Sequence, residues 1–253
     1  DLQLSPSTVD EETPVGTEVG TLIPVDPDLP NDNFTYQLVS GTGGQDNGFF
    51  RIVGDRVQVN ARLNFETRST YFIRVRVTDR GGNQFEKELT VTLNDVNESP
   101  TDITLNPATV VEAQQIGALV GNFAPVDADR LSQTFDYSLV SGAGSTDNAL
   151  FTIPVAGNPQ GYPLNQLRTN AVFDFETRTS YSIRVRVTND DIGNPATPPI
   201  VFEKIFTINV TNTNEPPTDI TLTGNTALEE QPEGTVVGLL TAVDPDAGDT
   251  LTF

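Results

Sequence analysis

The sequence predicts an all-β chain of tandem seven-stranded antiparallel β-sandwiches with Ig-like Greek-key connections, and three observations predict it. Motifs recur along the chain, apolar residues alternate with period two inside each repeat, and no segment shows helical periodicity. DLQLSPSTVDE from Asp1 returns as DITLNPATVVE from Asp102, and ITLTGNTALEE follows from Ile220. VDPD at 25–28 returns as VDAD at 126–129 and VDPD at 243–246. The offsets grow along the chain: Asp26 to Asp127 is 101 positions, Glu66 to Glu176 is 110, and Glu98 to Glu215 is 117. The second repeat therefore holds two insertions, around GNPQGYP between Phe151 and Asp174 and in DDIGNPATPP between Asn189 and Phe202. Both are rich in Gly, Pro and Asn and read as surface loops. The repeats are placed at 1–97, 98–214 and 215–253, the last being the N-terminal part of a unit, too short to enclose a core alone.

Within the first repeat, short runs near 2–11, 16–23, 34–39, 49–53 and 56–63 supply the first five strands. The sixth, 70–78, sets Tyr71, Ile73, Val75 and Val77 against Phe72, Arg74, Arg76 and Thr78 on the other face. The seventh, 84–94, puts Phe85, Leu89, Val91 and Leu93 on one face, and Glu86 and Glu88 opposite, where they are expected to pair with Arg74 and Arg76. In the second repeat Tyr181, Ile183, Val185 and Val187 repeat the sixth strand. Asp46, Asn47 and Asp147 sit in QDNG and TDN stretches and read as solvated turn formers.

Composition narrows the chemistry. Of 253 residues, 35 are acidic and 14 basic, a formal net charge of -21, with lysine only at 87 and 204. Such a chain lacks the basic patch that nucleic acid or an anionic membrane requires, and it favours cations as partners. There is no Cys and no His, which removes thiolate and imidazole metal sites and the usual nucleophile–base arrangements. Oxygen remains, the ligand of hard cations. No apolar run approaches the roughly 18 residues that cross a membrane.

The acids gather where repeats meet. Each repeat has a Glu before its second strand segment (Glu11, Glu112, Glu229) and an Asp-x-Asp after it (Asp26 and Asp28, Asp127 and Asp129, Asp244 and Asp246). Each complete repeat has an Asx-Phe-Glu triplet (Asn64 with Glu66, Asp174 with Glu176), and its long sixth strand ends in Asp79, or in Asn189 followed by Asp190. The linkers DVNES and NTNE crowd further oxygens between them. At the first linker, Glu11, Glu66, Asp95, Glu98, Asp127 and Asp129 would repel one another without a cation, and calcium accepts this mixture of carboxylate, amide and carbonyl oxygens where magnesium demands stricter geometry.

This ordered set of five motifs resembles cadherin repeats, and most of all the cadherin-like repeats of large bacterial surface proteins. The resemblance implies sandwiches whose linkers hold up to about three calcium ions each, stiffening the array for adhesion. At the first junction it implies ligands Glu11, Asn64, Glu66, Asp95, Val96 through its carbonyl, Asn97, Glu98, Ser99, Asp127, Asp129 and Asn189 or Asp190. At the second it implies Glu112, Asp174, Glu176, Asn212, Asn214, Glu215, Asp244 and Asp246. Asp26, Asp28 and Asp79 would serve a linker preceding Asp1. The chain departs from the family pattern at Asn64, at Phe65 and Phe175 in place of Arg, at Asn212, and at Glu98 and Glu215 where Asp is usual.

The function expected from this reading is non-catalytic: a calcium-rigidified stalk or adhesin, or a matrix element, secreted or held on a bacterial cell surface, with homophilic contacts or self-association as its further partners. Two alternatives stand beside it. One is a head-to-tail filament in which strands of the next molecule complete the third repeat. The other is a calcium-dependent carbohydrate-binding module that stacks a sugar on Tyr162. A carboxylate-pair hydrolase fits least, because the acids recur at equivalent seams.

Overall fold

The structure is a computed structural model and describes residues 1–27, 33–129, 133–190 and 200–253. The described chain is all-β apart from two short 3₁₀ turns and divides into two compact units, Asp1–Glu98 and Ser99–Phe253.

In the first unit the strands are β1 (Leu2–Ser5), β2 (Thr8–Asp10), β3 (Glu18–Pro24), β4 (Thr35–Leu38), β5 (Phe50–Val53), β6 (Arg56–Val59), β7 (Thr70–Thr78) and β8 (Gln84–Asn94). They form two sheets, β1-β3-β6-β5 and β2-β8-β7-β4, whose inner faces enclose Leu2, Val19, Leu22, Val57, Ile73 and Val91. The run expected as one strand at 2–11 is two. β1 pairs antiparallel with β3, whereas β2 pairs parallel with β8 in the opposite sheet. The break falls at Pro6, which has no N–H to continue a ladder. The crossing chain presses on β3 at Gly20, where a Cβ would lie 1.9 Å from the Pro6 carbonyl oxygen. Only glycine fits that approach.

The β7–β8 ladder shows the expected alternation, with Tyr71, Ile73, Val75 and Val77 buried. Its charges differ in one respect from expectation. Glu86 alone receives both guanidinium groups, Arg74 Nε at 2.9 Å and Arg76 Nη2 at 2.7 Å, because Arg76 stands directly opposite it in the ladder and Arg74 diagonally on the same face. Lys87 reaches Asp1 at 2.7 Å, tying the last strand of one sheet to the start of the first.

The second unit repeats this plan with β9 (Asp102–Asn106), β10 (Thr109–Val111), β11 (Leu119–Val126), β12 (Thr134–Leu139), β13 (Phe151–Thr152), β14 (Gln166–Thr169), β15 (Ser180–Asp190) and β16 (Ile200–Thr211). Its sheets are β9-β11-β14-β13 and β10-β16-β15-β12. A Cβ at Gly121 would lie 1.8 Å from the Pro107 carbonyl oxygen, Glu203 takes Arg184 and Arg186, and Lys204 reaches Asp102 at 2.7 Å. The first insertion is an exposed loop closed by Asn158, whose amide bonds to Tyr162 in both directions. The Tyr162 ring lies under the Arg168 guanidinium at 3.4 Å, so one of its faces is already covered and unavailable to a stacking sugar. The second insertion, at 191–199, lies outside the described residues.

Beyond the linker, β17 (Asp219–Thr223) and β18 (Leu239–Val243) form a two-stranded ladder in the register of β9 and β11. Ile220, Leu222 and Leu239 are exposed there.

Asp46 and Asp147 correct another expectation. They precede the 3₁₀ turns Asn47–Phe49 and Asn148–Leu150, yet neither is solvated: they are 3% and 6% exposed and hydrogen-bonded inside the sandwich. The TDN and QDN triplets look like ordinary turns in sequence because nothing local reveals the arginine that arrives from 22 or 31 residues away.

Candidate metal centre

Each site begins at a glutamate one residue past a short parallel strand. Glu11 and Glu112 are 2% exposed, and each is followed by a non-glycine residue in the left-handed region, Glu12 at φ 54° and Ala113 at φ 55°. The carboxylate then stitches together two segments distant in sequence. Glu11 Oε2 accepts the Phe65 N–H at 2.8 Å and Oε1 the Val96 N–H at 3.0 Å. Glu112 Oε2 accepts the Phe175 N–H at 2.7 Å and Oε1 the Thr213 N–H at 2.5 Å. A buried carboxylate held by two backbone donors fixes the triplet turn and the start of the linker in one geometry.

The triplet is itself an Asx turn. Asn64 Oδ1 accepts the Thr67 N–H at 2.7 Å, and Asp174 Oδ1 the Thr177 N–H at 2.8 Å. Bonds to Thr177 hold the Asp174 carboxyl below its usual range. In the first unit, oxygens of Glu11, Glu66 and Glu98 lie within 4.8 Å of one another; in the second, the groups Glu112–Asp174–Glu176, Glu176–Glu215–Asp246 and Asp244–Asp246–Asp249 do the same. Asp249 was missed in the sequence. Its signal was present as the third acid of VDPDAGD.

Gathering these charges has an electrostatic cost. Desolvation, reinforced by the charges of Glu112, Asp246 and Asp174, raises the carboxyls of Glu176 and Glu215 above their ordinary values. Burial, with the Asp129 charge adding to it, does the same for Asp127. Two buried oxygens, Glu215 Oε2 and Asp127 Oδ2, have no hydrogen-bond partner. An oxygen that has lost water and gained no donor fits a cation.

The remaining expected ligands fall into place unevenly. Asp127 Oδ1 and Asp244 Oδ1 each accept the N–H of the second Asp of their motif at 2.9 Å, and Asp246 Oδ2 accepts the Glu215 N–H at 2.6 Å, binding the second linker from its far side. Asn212 donates to Glu176 Oε1 at 3.2 Å, and Asn214 to the Glu215 carbonyl at 3.2 Å. Asp95 and Ser99 are exposed, and Asn97 and Asp26 are half-buried. Asp129 is 5% exposed. Asn189 is fully buried in β15 and bonds Gln133 at 2.6 Å. Asp79 uses both carboxylate oxygens on Asn83 to close the β7–β8 hairpin, and those bonds lower its carboxyl pKa. Asp28 and the Asp190 side chain lie outside the described residues.

Comparison with known proteins bears on the sequence family and the fold. The family model described as Cadherin domain matches residues 5–94. Mouse Cadherin-24 is 30% identical over 95% of this chain and 32% of its own length. Residues 5–94 are thus identified as a cadherin domain, and the likeness to cadherins runs along nearly the whole chain. The Protocadherin-like wing polarity protein stan of Drosophila melanogaster is 28% identical over 96% of the chain but 7% of its own length. The cadherin relatives thus extend well past it, and the chain spans about a third of Cadherin-24. Among solved structures, human Protocadherin-24 EC1-2 superposes with a TM-score of 0.61 at 20% identity, covering 83% of this chain and 99% of that one. The Protocadherin GammaB4 extracellular domain gives 0.58 at 21%, covering 98% and 38%. These likenesses establish the cadherin sandwich. Cadherin domains in general bind calcium, and the all-oxygen donor set here suits it.

Proposed function

We propose that this chain is a calcium-binding, extracellular tandem-repeat element at a cell surface, a stalk or adhesin segment whose repeats at 1–97, 98–214 and 215–253 are stiffened by ions at their junctions. The observation that carries the reading is the second linker. There Glu176, Glu215 and Asp246 bring oxygens within 4.8 Å, and Glu215 Oε2 is buried without a donor. Glu112, Asp174, Asp244, Asn212 and Asn214 complete that junction's donors. The first junction draws on Glu11, Asn64, Glu66, Asp95, Val96, Asn97, Glu98 and Ser99 with Asp127, Asp129 and Asn189 or Asp190. Bound calcium supplies the positive charge that offsets the gathered carboxylates, up to about three ions per junction. Ions that prefer one junction geometry shift the population toward it, so the residues that converge on them set the stiffness of the rod.

Small-angle X-ray scattering in chelator and in about 1 mM calcium tests this, with a melt on the same samples. Extracellular modules bind at about 10⁻⁴–10⁻³ M, so about 1 mM calcium stabilises by roughly 0.4–1.4 kcal/mol per site. A longer maximum dimension and a higher Tm are expected; no change in either removes the mechanism. A second reading, the head-to-tail filament, draws on the exposed Ile220, Leu222 and Leu239. Fibres that grow with protein concentration on electron-microscope grids would favour it.

A further inference from the structure

We propose that the pairs Asp46–Arg68 and Asp147–Arg178, each a buried carboxylate holding a half-exposed guanidinium, are positioning struts that hold the ligand-bearing turns, and with them Glu66 and Glu176, in the geometry the cation needs. The inference rests on the calcium reading above and names residues outside the ligand set.

Its basis is the same construction in two separate sandwiches. Asp147 takes Arg178 through both oxygens at 2.7 Å and also accepts the Ser182 N–H of β15 at 2.7 Å. Asp46 binds Arg68 and accepts the Phe72 N–H of β7 at 2.9 Å. Each arginine also lies over a core tyrosine, Arg178 over Tyr181 at 4.3 Å and Arg68 over Tyr71 at 5.4 Å. Partners 22 residues apart in the first unit are 31 apart in the second, so the pair survived a nine-residue insertion between its halves.

The arginine's position gives the pair its role. Arg178 N–H closes the triplet turn onto the Asp174 carbonyl at 3.1 Å, and Arg68 does the same onto Asn64 at 3.0 Å. The turn is therefore pinned at both ends. Glu112 holds Phe175, the residue before Glu176, while Asp147 holds Arg178, two residues after it. A ligand fixed on both flanks loses little further freedom when an ion arrives, and partners of this kind commonly govern affinity by about 10–100-fold.

Calcium titration calorimetry on the full chain tests the strut, alongside melts in chelator. Asp147→Asn is expected to weaken one class of sites about tenfold while the chain stays folded at the titration temperature. Arg178→Lys, which keeps the charge but loses the two-pronged geometry, is expected to fall between it and the unaltered chain and serves if Asp147→Asn does not fold. Glu203→Gln is the control: it breaks the Arg184–Glu203–Arg186 fork on strands of the same sheet, and it is expected to lower Tm without changing calcium affinity. Unaltered affinity in Asp147→Asn or Arg178→Lys overturns the strut alone, as does an equal loss in Glu203→Gln. An unaltered chain that binds no calcium overturns the proposed function, and the strut with it.

Discussion

PTDITL occurs twice in this chain, and the two copies have different fates. Ile103 of the first is fully buried, whereas Ile220 of the second is 60% exposed. Local structure is nevertheless the same. Asp102 faces Val126 as Asp219 faces Val243 in the ladder, and the residue after the key glutamate is left-handed in both, Ala113 at φ 55° and Glu230 at φ 63°. Gly121 and Gly238 both face a carbonyl oxygen closer than 2.5 Å to a Cβ position, Pro107 at 1.8 Å and Thr223 at 2.2 Å. Strand, turn and register are thus written in a few dozen residues. Burial is not, because Ile103 is covered by strands that arrive up to 100 residues later, and no such sheet covers Ile220 among the described residues.

The largest test of that difference is Ile103→Ala against Ile220→Ala. The first deletes a fully buried side chain and is expected to cost about 2–5 kcal/mol in denaturant unfolding; the second is expected within about 0.5 kcal/mol of the parent. Equal effects would mean that the face of β17 and β18 is covered in solution. Gly121→Ala comes next, at about 1–3 kcal/mol, since the Cβ must displace backbone. Gly238→Ala is expected to leave the main unfolding transition in place, because it strains only the two-stranded ladder.

A smaller effect has the opposite sign. Ala113→Gly relieves a left-handed alanine, and about 0.5–1 kcal/mol of added stability should appear as a raised midpoint in urea. Smallest is the acid response of Asp147. Burial alone would raise its carboxyl, but Arg178 and the Ser182 N–H reverse this and leave it below the ordinary value. A depressed carboxyl stabilises the fold above its unfolded pKa and loses that contribution as pH falls through the folded value. Melts from pH 6 to 3 should therefore show a steeper loss for the parent than for Asp147→Asn.

Much of the candidate site was legible because its residues are oxygen-bearing types repeated at matching offsets. Glu11, Glu66 and Glu98 form a compact group, as do Glu112, Asp174 and Glu176. Asp79 was legible only in part: its place at the end of a long strand was readable, but its commitment to Asn83 depends on the hairpin that brings them together. Asn189 is similar, since its side chain is committed to Gln133 across the sheet.

The sequence by itself determined the repeats, the alternation that makes β7, β8, β15 and β16 two-faced, and an oxygen-only donor set, because these depend on residue type and short-range spacing. Only the tertiary structure decided where the chain changes sheets at Pro6 and Pro107, and which of two glutamates takes both arginines. It also decided that Asp46 and Asp147 are buried partners of Arg68 and Arg178 rather than solvated turns. Those outcomes turn on side chains separated by 10 to 31 residues along the chain, whose desolvation and hydrogen bonding have no meaning until two sheets have closed over them.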